Sequence, residues 1–196
     1  MERLILAEDE IVRICDRLGK EIDASLKDEE GVPIVLGVMN GALPFMYELV
    51  KHITHPIQLD TIKVSSYDGM ESTGVVHVQK GPDHDLQGKD VILVEDIIDT
   101  GVTMNFLKDY IKQEYKPRSL KICILIKRNN LKMKYDEKAD FVGLTTDEQK
   151  YIVGFGFDYH GLFRNVPYIF VPSIKDIKSW EPYFAAEEKK TNSKKN

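Results

Sequence analysis

VILVEDIIDTGVT, residues 91–103, turns from an unbroken apolar run into acids and then into small polar residues. With Asp90 before it, the run to Val94 has the continuous hydrophobicity of a strand buried on both faces, as in a parallel sheet covered by helices on each side. Glu95 and Asp96 end that strand, two isoleucines follow, and Asp99-Thr100-Gly101-Val102-Thr103 leads into a helix that reads through Tyr115. Ligands of open α/β sheets bind beyond the carboxyl ends of the strands. A helix N-terminus offers unpaired N–H groups and positive dipole character there, which suits a phosphate. Gly101 lets the main chain approach closely, and Thr100 and Thr103 add hydroxyl donors. Glu95 and Asp96 stand beside that cradle, suited to polyol hydroxyls or a hard cation. A plainer reading makes Asp99 or Thr100 a helix cap, worth about 1 kcal/mol. It leaves unexplained why three acids (95, 96 and 99) crowd together, since they repel unless a cation or polyol lies among them.

Outward from this turn, helix and strand patterns alternate. Ile11, Ile14, Leu18, Ile22 and Leu26 recur at spacings of three and four and predict a one-faced helix over Glu8–Leu26. PIVLGVM (33–39) reads as a second doubly buried strand, Asn40-Gly41 breaks it, and ALPFMYELVKHI (42–53) reads as the next helix. A strand follows over 57–64, then a small, polar segment SSYDGMESTG (65–74), long enough to be a functional loop, and a returning strand VVHVQ (75–79). SLKICILIK (119–127) is a further strand, with shorter ones at 140–144, 151–157 and 168–172. This alternation predicts an α/β fold with a parallel, doubly wound sheet flanked by helices. A single domain is expected over 1–186, followed by a solvated, frayed tail over 187–196.

Composition narrows the function classes. The chain has 196 residues, 42% hydrophobic and 30% charged, and a formal net charge of -5. That profile is of one soluble globular domain. An acidic balance argues against a sequence-independent nucleic-acid binder, which needs a basic face to displace counterions. The N-terminal stretch turns charged too early for a secretory segment, and no run approaches the roughly 18 apolar residues of a membrane span. A cytoplasmic protein is expected. Cys15 and Cys123 sit in apolar stretches without a CxxC spacing and read as buried hydrophobes. His77, His84 and His160 show no metal-ligand spacing, His52 and His55 sit three apart at a helix end, and all five read as non-catalytic.

VEDIIDTGVT resembles the 5-phosphoribosyl pyrophosphate signature of the type I phosphoribosyltransferases, in the form seen in hypoxanthine-guanine phosphoribosyltransferases. The likeness extends in order from about Leu4 to Pro172. It implies a purine-salvage transferase that uses Mg2+ and joins hypoxanthine, and guanine as well, to 5-phosphoribosyl pyrophosphate. By the resemblance, Glu95 and Asp96 face the ribose 2′ and 3′ hydroxyls and the metal, and residues Asp99 to Thr103 hold the 5′-phosphate. Asp99 becomes the proton acceptor at purine N7. GVMNGA (37–42) matches the pyrophosphate loop, with a cis bond between Met39 and Asn40 and Gly41 behind it. Asn40 stands where many relatives carry Lys or Arg, and Val102 stands where some carry Lys inside the phosphate turn; the main-chain role survives both changes. Ser66 and Tyr67, within Ser65-Ser66-Tyr67, match the start of a loop that closes over the reaction centre. Lys127 matches the donor to the 6-oxo group, Tyr151 the ring stacked on the base, and Ile152 the residue whose backbone reads its edge. Asp158 matches a ligand of a second magnesium and Arg164 an arginine on the pyrophosphate. A small hood built from about 1–10 and 150–180 is also implied, as is a homodimer or homotetramer acting without nucleic acid or membrane.

Taken alone, several of these residues have plain readings. Asn40-Gly41 suits an ordinary turn, 65–74 a long hairpin connection, Lys127 a solvent-facing strand end, and Tyr151 core packing. Two other functions stay open on sequence: a transferase of the same fold for xanthine, adenine or orotate, and a non-catalytic nucleic-acid-binding regulator.

Overall fold

The computed structural model describes residues 1–26, 31–66, 76–129, 134–135 and 138–193. In chain order these form β1 (Arg3–Leu6), α1 (Glu8–Leu26), β2 (Ile34–Met39), α2 (Leu43–Val50), β3 (Gln58–Ser66), β4 (Val76–Lys80), β5 (Asp90–Ile98), α3 (Val102–Glu114), β6 (Ser119–Arg128), β7 (Phe141–Thr146), β8 (Ile169–Val171) and α4 (Ile174–Ser193).

The main sheet has the order β4-β3-β2-β5-β6-β7. Strands β3, β2, β5, β6 and β7 run parallel, and only β4 at the edge is antiparallel, returning beside β3. The sheet is therefore mixed: a connection as short as 67–75 can bring the chain back alongside β3 only in the opposite direction. Residue alternation then sorts the central strands onto two cores. On β5, Ile92 and Val94 face the layer that holds α1 and α2, while Val91 and Leu93 face α3. Both layers are apolar and closed to water, which is why β5 shows no polar alternation. On α1 the buried positions are Ile11, Cys15, Leu18, Gly19, Ile22 and Leu26, the stripe that its three-and-four spacing demands.

Three elements depart from expectation. Strand β5 runs beyond Glu95 and Asp96 to Ile98, because Ile97 and Ile98 continue the ladder against Ile126 and Lys127 of β6. The stretch 151–157 forms isolated bridges, Val153 with Phe170 and Gly154 with Phe157, and no strand. Gly154, Phe155 and Gly156 all have positive φ, which an extended ladder does not allow. The chain after Glu187 is helical to Ser193 instead of frayed, in keeping with the strong helix formers in AAEEKK (185–190). At the other end of the chain, β1 pairs antiparallel with β8 in a separate two-stranded sheet. Among the described residues, no helix is long and apolar enough to cross a membrane.

Candidate active site

Strand order fixes where a ligand can sit. From β2 the chain moves outward to β3 on one side, and from β5 outward to β6 and β7 on the other. The order reverses between β2 and β5, so the turns that leave their carboxyl ends diverge and open a crevice. Those turns are 39–42 and 99–101, the two that the sequence singles out.

Three hollows adjoin along this crevice. The first, about 110 Å³, is formed by residues 97–104, the turn from β5 into α3. Gly101 is the N-cap of α3 at φ 79, and no side chain caps the helix. The N-cap position thus falls on neither Asp99 nor Thr100, and the N-terminal end of α3, whose N–H groups suit an anion, lines this hollow. Glycine is required at 101: a Cβ there would lie 2.0 Å from the Tyr135 carbonyl oxygen. That close approach is held by Lys134 and Tyr135 N–H groups donating to the Thr100 carbonyl at 3.0 and 3.2 Å.

The second hollow, about 270 Å³, shares Ile97 and Asp99 with the first. Arg128, Tyr151, Ile152 and Phe157 supply the rest of its apolar and aromatic wall, with Asp96, Asp158 and Arg164 at its edge. Tyr151 is more than half exposed, so its ring face is open to stack; its hydroxyl donates to the Asp158 carbonyl. Ile152 is buried.

The third hollow, about 480 Å³, shares Asp96, Asp158 and Arg164 with the second and is strongly polar. Met39, Asn40 and Gly41 form one wall, and the peptide bond between Met39 and Asn40 is cis. Gly41 packs so closely on β5 that a Cβ would lie 2.1 Å from Asp96 Oδ2. Lys63, Ser65 and Gln79, from the β3–β4 pair, line it as well. Arg164 Nη2 pairs with Asp158 Oδ1 at 2.6 Å, and Asp158 Oδ2 accepts from the Gly161 N–H at 2.6 Å. The positive-φ segment at 154–156 is what turns Phe157 and Asp158 back towards β5: Phe155 and Gly156 N–H groups donate to the Val166 and Arg164 carbonyls at 2.7 and 3.0 Å.

Electrostatics mark the junction of these hollows. Glu95 and Asp96 are each only 8% exposed. Burial, and next the Asp96 charge, raise the Glu95 carboxyl well above its ordinary range. Burial also raises Asp96, opposed in part by hydrogen bonding with Glu95 and by the Arg164 charge. Two adjacent buried acids that resist ionising together are a site prepared for a cation or for hydroxyl donors. Among the described residues, no three acid, histidine or cysteine side chains converge on one point. Mg2+ does not require that, since it keeps several waters and takes one or two carboxylates together with substrate oxygens. The Glu95–Asp96 pair fits that mode, with Asp158 across the same hollow.

Met39, Asn40, Gly41, Asp96, Asp99, Thr100, Gly101, Val102, Thr103, Tyr151, Ile152, Asp158 and Arg164 therefore all line this crevice, and Glu95 lines its third hollow. Lys127 is half-buried at the end of β6, opposite Ile98 and Thr145; the described wall of the second hollow carries its neighbour Arg128 instead. The side chain of Ser66 and all of Tyr67 lie outside the described residues. Sequence reasoning missed Arg128, Phe157, Lys63 and Gln79. For Arg128 the available signal was its place at the end of a buried strand, next to a residue already singled out.

The family model for the phosphoribosyl transferase domain matches residues 4–160. The hypoxanthine-guanine phosphoribosyltransferase of Bacillus subtilis (strain 168) is 38% identical over 170 residues, which cover 86% of this chain and 92% of that protein. The hypoxanthine-guanine-xanthine phosphoribosyltransferase of Tritrichomonas foetus is 37% identical over 169 residues, 86% of this chain and 90% of that protein. Among solved structures, a hypoxanthine-guanine phosphoribosyltransferase from Bacillus anthracis superposes with a TM-score of 0.80 at 33% identity, over 88% of this chain and 99% of that one. A crevice at the sheet's reversal point, an uncapped helix start and a buried acid pair thus come with sequence likeness over nearly the whole of known transferases: the chain belongs to the phosphoribosyl transferase domain family, in its hypoxanthine-guanine branch.

Proposed function

We propose that the chain transfers the 5-phosphoribosyl group of 5-phosphoribosyl pyrophosphate to hypoxanthine, and to guanine, releasing pyrophosphate and the nucleoside 5′-monophosphate. The bond from ribose C1 to the pyrophosphate oxygen breaks, a bond from C1 to purine N9 forms, and the proton the base gives up leaves from N7. The observation that carries this reading is the adjacency of three hollows of different character around Asp96, Asp99, Asp158 and Arg164. A 5′-phosphate suits the open N–H groups of 99–103, a flat base suits the aromatic hollow, and a diphosphate suits the polar one.

Each residue then has a task. Main-chain N–H groups at the start of α3 hold the phosphate, with Thr100 and Thr103 hydroxyls beside them. Glu95 and Asp96 accept from the ribose hydroxyls and, as carboxylates, stabilise positive charge that develops on the sugar as C1 loses its bond. Asp99 accepts the N7 proton, a role worth about 10²–10⁴-fold for a positioned base. Tyr151 stacks on the base, the Ile152 backbone reads its edge, and Lys127 donates to its 6-oxo group. Arg164 and the Met39–Gly41 backbone receive the diphosphate, for which a planar guanidinium fork is well shaped. Mg2+, held by Glu95, Asp96 and Asp158 with substrate oxygens, would neutralise charge on the leaving diphosphate. Ser66 and Tyr67 begin the segment that closes over the centre and excludes water.

The surroundings of the reading are a cytoplasmic homodimer or homotetramer. Burial pushes the Cys15 thiol up to about 12 and Cys123 well above its ordinary range, so neither is a ready nucleophile and neither has a part in the transfer.

Pyrophosphate release measured with hypoxanthine, guanine, xanthine and adenine, each with and without Mg2+, tests the assignment. Turnover with hypoxanthine and guanine that needs Mg2+ is expected. Turnover with adenine alone, or with no purine at all, would contradict it; turnover with xanthine as well would widen the substrate range.

A further inference from the structure

The second hollow contains a charged side chain with no role so far. Arg128, the last residue of β6, is 8% exposed. Its Nη2 donates to the Lys150 carbonyl at 2.7 Å. Its Nη1 stands 3.6 Å from Asp99 Oδ1. Its Nε is buried and has no hydrogen-bond partner among the described residues. A guanidinium taken this far out of water is costly unless its partners satisfy it, so a half-satisfied one is not explained as a stabilising element.

The two partners show what the arginine connects. Asp99 belongs to the turn after β5, on one side of the hollow. Lys150 directly precedes Tyr151, whose ring forms the other side. Among the described residues no strand ladder joins these segments, because 151–157 is irregular: one isolated bridge, Val153 with Phe170, and backbone hydrogen bonds to Val166 and Arg164 connect it outward. Arg128 is thus a tie between them, anchored at its base in the central sheet. The 3.6 Å separation from Oδ1 is an ion pair that lies beyond hydrogen-bond length, so the contact holds Asp99 by charge without taking up that oxygen's lone pairs.

We propose that Arg128 is a positioning residue of the transfer reaction: it ties Asp99 to the backbone that carries Tyr151, so that the proton acceptor and the stacking ring face a purine at a fixed separation. This rests on the reading of Asp99 as the acceptor. Displacing a reacting group by about 1 Å can cost about a hundredfold in rate, so a tie of this kind acts on kcat, while binding of the sugar diphosphate at the other hollows is untouched.

Three variants in a double-mutant cycle decide it: Arg128→Met, Asp99→Asn and the pair together, with kcat and KM measured for hypoxanthine and for 5-phosphoribosyl pyrophosphate. Arg128→Met is expected to lower kcat about ten- to a hundredfold and to leave KM for the sugar diphosphate within about twofold. In the Asp99→Asn background the same replacement is expected to change kcat by less than about twofold, since there is no acceptor left to position. Arg128→Lys, which keeps the charge but reaches one partner at a time, should recover part of the loss. If Arg128→Met does not fold, Arg128→Lys takes its place in the cycle with the same expectations on a smaller scale. An equal loss in both backgrounds, a change confined to KM, or no loss would overturn the role of Arg128 while leaving Asp99 in place. Full turnover by Asp99→Asn alone would instead overturn the acceptor assignment, and this proposal with it.

Discussion

At Glu95 the folded carboxyl holds its proton far more tightly than in the unfolded chain, because burial strips it of water and Asp96 adds a like charge. An acid whose folded pKa is raised makes folding less favourable as pH climbs from its unfolded value of 4.5 towards the raised one. The ligand-free protein should therefore lose stability over that range, and Glu95→Gln should remove the loss and raise the thermal midpoint at neutral pH. The same change should lower kcat/KM about a hundredfold, because the carboxylate opposite the sugar's developing charge is gone. Thermal unfolding against pH, run beside steady-state kinetics, checks both; a lower midpoint at neutral pH would show that Glu95 stabilises the fold. Lys127→Ala should raise KM for hypoxanthine about tenfold, the size of one lost charged hydrogen bond. An unchanged KM would show that the 6-oxo group is read elsewhere, with Arg128 a donor that lines the same hollow. This pair marks the limit of legibility at the residue scale. Successive residues of a strand point to opposite faces, so reading Lys127 alone left Arg128 unseen, and which one meets the crevice depends on how β6 ends. Asp99 and Gly101 were legible because turn chemistry and charge single them out without knowledge of a strand's orientation, whereas Arg164 was reached only through the family resemblance.

Among the elements, β5 and β6 carry the site and are stapled together at the end farthest from it. Asp90 opens β5 and is paired in register with Ser119, which opens β6. Its carboxylate accepts from Arg118 Nε at 3.0 Å and from the Ser119 hydroxyl at 2.7 Å, and also pairs with Arg118 Nη2. The Arg118 guanidinium, and after it the Ser119 hydroxyl, hold the Asp90 carboxyl below its ordinary range against the cost of burial. A depressed folded pKa contributes stability that is present above the unfolded value of 3.8 and is lost as pH falls through the folded one. Asp90→Ala should cost about 1–3 kcal/mol, seen as a lower urea midpoint with an unchanged slope, and activity per folded molecule should persist. A change of less than a few tenths would mean that the arginine, being partly exposed, contributes little. Elements with one strong period were plain in the sequence: α1 by its three-and-four spacing, and β2, β5 and β6 by unbroken apolar runs. The segment 151–157 was not, since YIVGFGF has a strand's composition and only its positive-φ backbone at 154–156 turns it into the wall of a site.

For the molecule as a whole, the reversal of strand order between β2 and β5 does the assembling. It brings the turns at 39–42 and 99–103, some sixty residues apart in sequence, to one crevice, where Gly41 lies against Asp96. Alternation of helix and strand patterns foretold the class of sheet. The antiparallel edge strand was legible only as a return after a short connection, since strand composition does not distinguish a return from a crossover and connection length does. The two-stranded sheet of β1 and β8 joins chain ends that no local pattern could pair. The account as a whole rests on residues 99–103 as the seat of the sugar phosphate. Crystals of the protein grown with inosine 5′-monophosphate test it most directly: the phosphate should accept from main-chain N–H groups of 99–103, with the base between Tyr151 and Asp99. A phosphate bound elsewhere, with that turn unoccupied at saturating nucleotide, would contradict the account.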